Sequence, residues 1–198
     1  MRRRSLLLLI ASLLAAPLAA QTAPAAPTTR VALDTSEGRI IVELDRARAP
    51  ITTANFLRYA AEKRLDGVQF YRVVRVQPGF GFVQFGVRNE PKRALPPIEH
   101  EPTTRTGLKH LDGAISIARN APGSARGDFT IMVGDQPSLD ADPARSDDSQ
   151  GYAAFGRVVE GMDVVRRILE LPKSPDAGPF KGEMLAEPVR IASARRVD

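Results

Sequence analysis

One arginine stands in an apolar stretch that is typical of a strand. Residues 67–76, GVQFYRVVRV, are rich in β-branched and aromatic types. Regular alternation places three apolar side chains on the same face as Arg72. They are Phe70, Val74 and Val76. Gln84 also lies among apolar residues, in FVQF, and an apolar surface with one guanidinium and one carboxamide suits the binding of a neutral peptide.

Other catalytic chemistries have weaker support. The chain has no cysteine, which excludes disulfides and thiol nucleophiles, and its two histidines are His100 and His110. A serine hydrolase needs a base beside its nucleophile, and neither Ser116 nor Ser124 lies in a GxSxG motif. We interpret both histidines as surface residues in or near a loop, so that neither a nucleophile nor a base accompanies the peptide surface.

No metal, phosphate or cofactor site is predicted. Residues 99–101, EHE, lack the HExxH spacing that a helical zinc site requires. Residues 79–81, GFG, form an isolated GxG in a β context, which favours a bend or bulge over a phosphate cradle.

The amino-terminal segment predicts export. Residues 1–20 combine three arginines, an apolar run and small residues, which is typical of a cleaved signal peptide. Residues 21–29 form a Pro/Ala/Thr tether, and residues 30–198 form one domain. Loss of the three arginines lowers the formal charge from +5 to +2. No dense basic run remains, so nucleic acid is not expected as a partner.

Many short strands and two helices surround the candidate surface. A hairpin is predicted around Ser36-Glu37-Gly38, and long loops are predicted at 89–106 and 141–150. Amphipathic helices are predicted at 50–63 and 161–171. The other strands are predicted at 67–76, 82–87, 113–119, 128–133, 151–159 and 189–197. The absence of a βαβ rhythm indicates a mainly antiparallel sheet or barrel.

Several motifs together resemble those of the cyclophilin-type peptidyl-prolyl cis-trans isomerases, in family order over residues 30–197. They are FYRVV at 70–74, PGF at 78–80, FVQFG at 82–86, GAISIA at 113–118, DF at 128–129, LD at 139–140 and GYAAFGRVVEGMDVV at 151–165. The resemblance implies a closed eight-stranded antiparallel β-barrel capped by two α-helices. It also implies rotation about Xaa-Pro bonds without a cofactor or covalent intermediate.

The resemblance assigns roles to individual residues. Arg72 matches the catalytic arginine, and Gln84 matches the glutamine that holds the substrate backbone. The backbone of Ala118 and Arg119 matches the part that binds the residues before proline. Other matched positions line the proline pocket or its surroundings: Phe82, Leu139, Tyr71 and Tyr152.

Two departures from the family pattern affect the predicted pocket. Thr130 replaces the phenylalanine at the bottom of the proline pocket, which predicts weaker proline binding, and Ser138 replaces a tryptophan. Phe80 is expected at the site as well and could fill the space beside Thr130. The alternative function is therefore a prolyl-peptide-binding chaperone module with weak or no isomerase activity.

The sequence as a whole predicts an exported isomerase that assists protein folding in the periplasm. Its partners would be proline-containing peptides and unfolded or partly folded proteins. We expect a monomer that uses no metal and no cofactor.

Overall fold

Within the residues that the structure describes, the chain forms nine β-strands and three α-helices. The computed structural model describes residues 29–88, 90–146 and 148–197. The strands are β1 Thr29–Thr35, β2 Gly38–Leu44, β3 Gln69–Gln77, β4 Phe80–Gly86, β5 Ala114–Ile117, β6 Asp128–Val133, β7 Ala153–Glu160, β8 Lys173–Ser174 and β9 Met184–Val197. The helices are α1 Pro50–Ala61, α2 Thr103–Thr106 and α3 Met162–Glu170. The predicted signal peptide and tether residues 21–28 lie outside the described residues, and Thr29 begins β1.

The strands close into the predicted barrel. Their order is β1-β2-β7-β5-β6-β4-β3-β9, and β9 pairs back with β1. All pairings are antiparallel, and the two-residue β8 pairs with β9 outside the ring. The closed eight-stranded barrel is thus confirmed. Closure leaves its strands without the free edge that an open sheet would present.

Helices α1 and α3 occupy the two predicted helical segments. Helix α1 contacts β7 and β9, whereas α3 contacts β2, β3, β4 and β6. The short helix α2, four residues within the predicted loop 89–106, was not expected. No helix among the described residues is long and apolar enough to span a membrane.

Glu101, which the sequence placed in a polar loop, caps α1. Its carboxylate accepts hydrogen bonds from the backbone N–H groups of Ile51, at 3.1 Å, and Thr52, at 2.7 Å. The residue is 2% exposed. A carboxylate at a helix amino terminus satisfies unpaired N–H groups and interacts favourably with the helix dipole. This contact fixes the loop before α2 against α1.

Aromatic rings fill the barrel interior. Five phenylalanines have no exposed surface: Phe56, Phe70, Phe85, Phe129 and Phe155. The Phe56 and Phe129 rings meet edge-on with centroids 4.8 Å apart, and the Phe70 and Phe85 centroids are also 4.8 Å apart. Such pairs stabilise a core beyond the effect of buried area alone. The side chains that point outward from the same strands are therefore free to form a site.

A β-bulge in β3 decides where Arg72 points. Phe70 pairs with Phe85 and Arg72 pairs with Gln84, so Tyr71 is an extra residue opposite β4. Beyond this bulge Val73, which has no exposed surface, faces the core. The prediction that Arg72 shares a face with Phe70 is therefore wrong, because an extra residue reverses the alternation. Arg72 faces outward, opposite Gln84.

Candidate functional site

A groove of about 990 Å³ runs over the outer face of β3, β4, β6 and β5. Its volume lies at the upper end of the usual range for ligand pockets. Nine of the ten predicted site residues line it: Tyr71, Arg72, Phe82, Gln84, Ala118, Arg119, Thr130, Leu139 and Tyr152. The structure thus brings together residues from both halves of the chain on one concave surface.

Two cross-strand rows form the groove floor. The polar row follows the pairings of Arg72 with Gln84, Gln84 with Thr130, and Thr130 with Ser116. In the neighbouring row Phe82 pairs with Met132. Outward-facing side chains on adjacent strands lie side by side, so a polar strip runs next to an apolar one.

Met132 is a groove residue that the sequence interpretation missed. It is 1% exposed and lies opposite Phe82. The signal was present in DFTIMV at 128–133, because period-two alternation places Asp128, Thr130 and Met132 on one face. The apolar row therefore has two large side chains, one from β4 and one from β6.

Arg72 is held by two polar neighbours. Its Nε donates to Glu183 Oε2 at 2.7 Å, and its Nη1 donates to Gln84 Oε1 at 2.9 Å. The Phe180 ring centroid lies 3.9 Å from Arg72 Cζ, and the Phe82 centroid lies 5.6 Å from it. Neither Glu183 nor Phe180 was predicted at the site, because both lie in a segment far along the chain that the motifs do not cover.

Phe80 does not line the groove. It begins β4, and its ring lies so close to Gly134 that a Cβ on that glycine would approach the Phe80 Cδ2 to 2.5 Å. Gly134 has φ +79°, a left-handed conformation that favours glycine. The expectation that Phe80 fills the space beside Thr130 is therefore wrong. Gly81 pairs with Arg75, and the second register shift lies in β3 between Arg75 and Gln77, so the irregularity predicted at GFG falls on the facing strand.

A buried chain of hydrogen bonds supports the polar row from below. His110 Nδ1 lies 2.8 Å from Asp140 Oδ1, and His110 Nε2 lies 2.9 Å from Ser116 Oγ. Because a carboxylate only accepts, Nδ1 carries a proton. Ser116 Oγ also lies 3.1 Å from the Ala153 carbonyl oxygen, so its single hydrogen serves either that carbonyl or Nε2. Burial lowers the pKa of His110 below its usual value. The uncharged imidazole thus links β5 to the segment that carries Asp140.

This chain corrects the interpretation of the histidines. His110 is 1% exposed, so it is not a surface residue, and it does place a base beside Ser116. Ser116 is itself 1% exposed at the groove floor, so its hydroxyl is not presented to a substrate as a nucleophile would be. His100 is half-buried, with Nε2 3.0 Å from the Gln150 carbonyl oxygen.

Arg119 anchors the opposite side of the groove. Its side chain is 1% exposed, and its Nη2 lies 2.6 Å from Asp148 Oδ2. Nε donates to the Gly151 carbonyl at 3.0 Å, and the guanidinium lies 5.1 Å from the Tyr152 ring centroid. The side chain therefore holds the Tyr152 segment in place. Of the neighbouring Ala118 backbone, only the carbonyl can face a peptide, since its N–H donates to Asp128.

Tyr71 closes one end of the floor. It is 5% exposed, and its hydroxyl donates to Asp128 Oδ1 at 3.0 Å. Burial, together with the nearby carboxylate, raises the pKa of Tyr71 well above its usual value. The hydroxyl therefore stays protonated and acts as a fixed hydrogen-bond donor.

Comparison with known proteins identifies relatives of this chain. The profile of the family described as cyclophilin type peptidyl-prolyl cis-trans isomerase/CLD matches residues 30–196. The peptidyl-prolyl cis-trans isomerase cyp18 of Streptomyces antibioticus is 38% identical over 170 residues, which cover 83% of this chain and 96% of that protein. Peptidyl-prolyl cis-trans isomerase A of Dickeya dadantii is 34% identical over 174 residues, which cover 86% of each chain.

A solved structure shares the fold at lower identity. The cyclophilin type isomerase of Cryptosporidium parvum is 19% identical, with a TM-score of 0.70, and the match covers 87% of this chain and 99% of that one. The same protein in the presence of the dipeptide Ala-Pro gives a TM-score of 0.69.

Proposed function

Because the chain belongs to the cyclophilin-type peptidyl-prolyl cis-trans isomerases, we propose that Arg72 is its catalytic residue. The reaction is rotation about an Xaa-Pro bond, whose barrier of about 18–20 kcal/mol arises from amide resonance. As the bond twists, the prolyl nitrogen loses conjugation and gains a lone pair. A donor to that lone pair stabilises the transition state more than either ground state, which is the condition for catalysis.

The observation that carries the proposal is the position of Arg72. It faces the groove between Gln84 and the Phe82 ring, with 19% of its side chain exposed. Partial exclusion of water lowers the local dielectric constant and strengthens a hydrogen bond from a charged donor. Arginine is suited to this role because its planar guanidinium presents directional N–H groups.

Gln84 can orient the substrate backbone at the same time. Its Oε1 accepts the hydrogen bond from Arg72 Nη1 at 2.9 Å, which leaves the amide nitrogen as the donor. That nitrogen can donate to a peptide carbonyl in the groove. The Ala118 carbonyl can accept from a peptide N–H group further along it.

The apolar row is the proposed proline pocket. Phe82 and Met132 form its floor, and Leu139 forms a wall that is linked to Tyr152 by a backbone hydrogen bond of 2.9 Å. Thr130 contributes a small polar side chain where a ring would add contact area. Loss of a buried ring of this kind weakens apolar binding by about 1–3 kcal/mol. Proline peptides should therefore bind weakly.

Isomerisation of short peptides tests the proposal directly. The purified protein is mixed with Ala-Xaa-Pro-Phe peptides, with Xaa varied, and cis-trans exchange is followed by NMR. We expect acceleration by the native protein and loss of most of it in Arg72→Ala. An Arg72→Ala variant that folds and retains the native rate would exclude this arginine as the catalytic group.

A prolyl-peptide-binding chaperone is the alternative, and Thr130 and Ser138 favour it. Under that alternative the native protein would bind proline peptides and suppress aggregation of unfolded proteins without accelerating exchange. The retained pair of Arg72 and Gln84, joined across β3 and β4, supports the enzyme.

We also propose that the protein assists folding in the periplasm. The support is the signal-peptide pattern at residues 1–20, which lies outside the described residues. Mass spectrometry of the protein from fractionated cells tests this. We expect the periplasmic fraction to contain a chain that begins at Gln21. A full-length chain in the cytoplasm alone would contradict the proposal.

A further inference from the structure

We propose that Glu183 is a positioning residue, which orients the Arg72 guanidinium so that its unused N–H groups face the groove. The inference rests on the proposed catalytic role of Arg72. It concerns the segment between β8 and β9, which lies outside the short motifs at residues 70–165.

The hydrogen bonds of Arg72 define the orientation. Glu183 Oε2 lies 2.7 Å from Nε and 2.6 Å from Nη2, while Nη1 donates to Gln84 at 2.9 Å. A guanidinium has five N–H groups. Nε and Nη1 each donate one hydrogen bond to these acceptors, and Nη2 contacts the same Glu183 oxygen as an ion pair. N–H groups on Nη1 and Nη2 therefore remain for a substrate. The contacts therefore fix the plane of the group without using up its donors.

The sheet itself places the Glu183 carboxylate. The Glu183 carbonyl accepts a hydrogen bond from the Val73 N–H at 2.8 Å, and the next residue, Met184, pairs with Arg72 in register. The side chains of Arg72 and Glu183 are 19% and 35% exposed. Partial shielding from water weakens screening of the pair. Strand pairing thus fixes the backbone of Glu183 beside Arg72, which keeps its carboxylate within reach of the guanidinium.

Phe180, from the same segment as Glu183, also restrains the Arg72 guanidinium. Its ring centroid lies 3.9 Å from Arg72 Cζ, although the residue is 40% exposed. A cation over an aromatic face is attracted to it, and the ring also limits rotation of the guanidinium. Phe82 lies 5.6 Å away from the side of β4. Arg72 is therefore restrained by groups from β4 and from the segment that precedes β9.

Orientation matters because the proposed catalytic hydrogen bond is directional. A donor that is already aligned loses less conformational freedom when the prolyl nitrogen becomes pyramidal. Without Glu183, the guanidinium would reorient within the groove and donate to the substrate in fewer of its conformations. The expected effect is on the catalytic step, with little effect on peptide binding.

The experiment compares Glu183→Gln and Glu183→Ala with the native full chain. Glu187→Gln is the matched control, since Glu187 is an exposed carboxylate in β9, four residues after Glu183, and does not line the groove. Exchange NMR gives kcat/KM, and titration with an Ala-Pro-containing peptide gives Kd. We expect Glu183→Gln to lower kcat/KM about tenfold, as removal of an orienting partner does elsewhere, while Kd changes less than about twofold.

A second readout separates orientation from general stability. The Arg72 Nε–H signal is followed by NMR, and its exchange with water should become faster in Glu183→Gln but not in the control. Thermal unfolding should show the same midpoint in the two glutamine variants. Faster Nε–H exchange at an unchanged midpoint would show that the rate is lost because the Arg72 guanidinium is no longer held in one orientation.

Two results would overturn the inference. One is a kcat/KM in both Glu183 variants equal to or higher than that of the control. The other is unchanged Nε–H exchange. Arg72→Ala, measured alongside, distinguishes failure of this inference from failure of the proposed catalytic role of Arg72. If Arg72→Ala is inactive and Glu183→Gln is fully active, only the inference fails. If Arg72→Ala remains active, the proposed catalytic role fails and the inference fails with it.

Discussion

The two sides of the groove use the same three kinds of side chain for different purposes. On one side Arg72 lies between Glu183 and the Phe180 ring, and on the other Arg119 lies between Asp148 and the Tyr152 ring. The two arginines differ in how many N–H groups remain available to donate to a substrate. The Arg119 side chain is 1% exposed, and it makes four hydrogen bonds to protein oxygens: Nε and Nη2 donate to Gly151, Nη1 donates to Asn120, and Nη2 donates to Asp148. Arg72 is 19% exposed and keeps donors for the groove.

The comparison shows that an arginine, a carboxylate and a ring do not identify a catalytic group by themselves. The Arg119 side chain stabilises the segment that carries Tyr152, so its removal should affect stability first. The Arg72 side chain supports no backbone segment through its guanidinium, so its alteration should affect the rate first. Two measurements test this distinction directly and two test the groove floor between the arginines, in order of decreasing expected effect.

Arg72→Lys should lower kcat/KM about a hundredfold, because lysine retains the charge but not the planar fork of donors. The free energy of unfolding, measured in urea, should stay near the native value, since the residue faces the groove. Exchange NMR on an Ala-Xaa-Pro-Phe peptide gives the rate. A lysine variant with native activity would mean that charge alone is sufficient and that direction is not needed.

Arg119→Ala should lower the free energy of unfolding by about 1–3 kcal/mol, because it removes buried charge-assisted hydrogen bonds. Arg126→Ala is the control, since Arg126 is an exposed arginine that lines the same groove. Urea denaturation measures both. If Arg119→Ala is as stable as the control but has lost its catalytic rate, the two sides of the groove would be functionally alike.

Thr130→Phe should strengthen binding of proline peptides by about 1–3 kcal/mol, because a ring would add apolar contact beside Phe82 and Met132. Thr130→Val removes the hydroxyl at nearly constant volume and serves as the control. Titration calorimetry with one peptide series measures the affinity. Equal binding by the native and phenylalanine proteins would show that the apolar row already fills the pocket.

Stability should fall as the pH decreases from 7 towards 5, and His110 should contribute to the fall. Burial lowers the pKa of His110 in the folded protein, whereas in the unfolded chain it titrates near its ordinary value of about 6.5. Below that pH the unfolded chain binds a proton that the folded chain does not, so the free energy of unfolding decreases as the pH falls to the folded pKa. Above about pH 7 this contribution is constant.

Urea denaturation at several pH values measures this dependence. His110→Gln should show a smaller slope between pH 7 and 5 than the native protein. His100→Gln is the comparison, because burial lowers the pKa of His100 as well. A native slope in the His110 variant would assign the dependence to other groups.

Local sequence patterns predict the barrel well but its outer face less well. The hairpin at Ser36-Glu37 and the helices α1 and α3 follow from turn residues and helical spacing, which are local signals. The bulge at Tyr71 adds a single residue, and no propensity reveals it, yet it reverses which side chains share a face with Arg72. Alternation was therefore reliable in β6 and misleading in β3.

Contacts between distant parts of the chain determine the site positions that local patterns do not predict. Glu183 and Arg72 are 111 residues apart, and Asp140 and His110 are 30 apart, so neither pair shares a local pattern. Phe80 was assigned to the groove by its motif, but Gly134 provides the space in which its ring packs. Such positions depend on which strands become neighbours, and this is determined by closure of the barrel.

The pairing of β1 with β9 has a consequence for the order of events during synthesis. Residues 29–35 can pair with β2 at once, but their other partner is residues 191–197, which leave the ribosome at the far end of the domain. The barrel therefore cannot close until almost the whole domain has been made, and Glu183 reaches Arg72 at the same late stage. An incomplete chain has neither a closed core nor an oriented arginine, so folding and competence for catalysis are completed together.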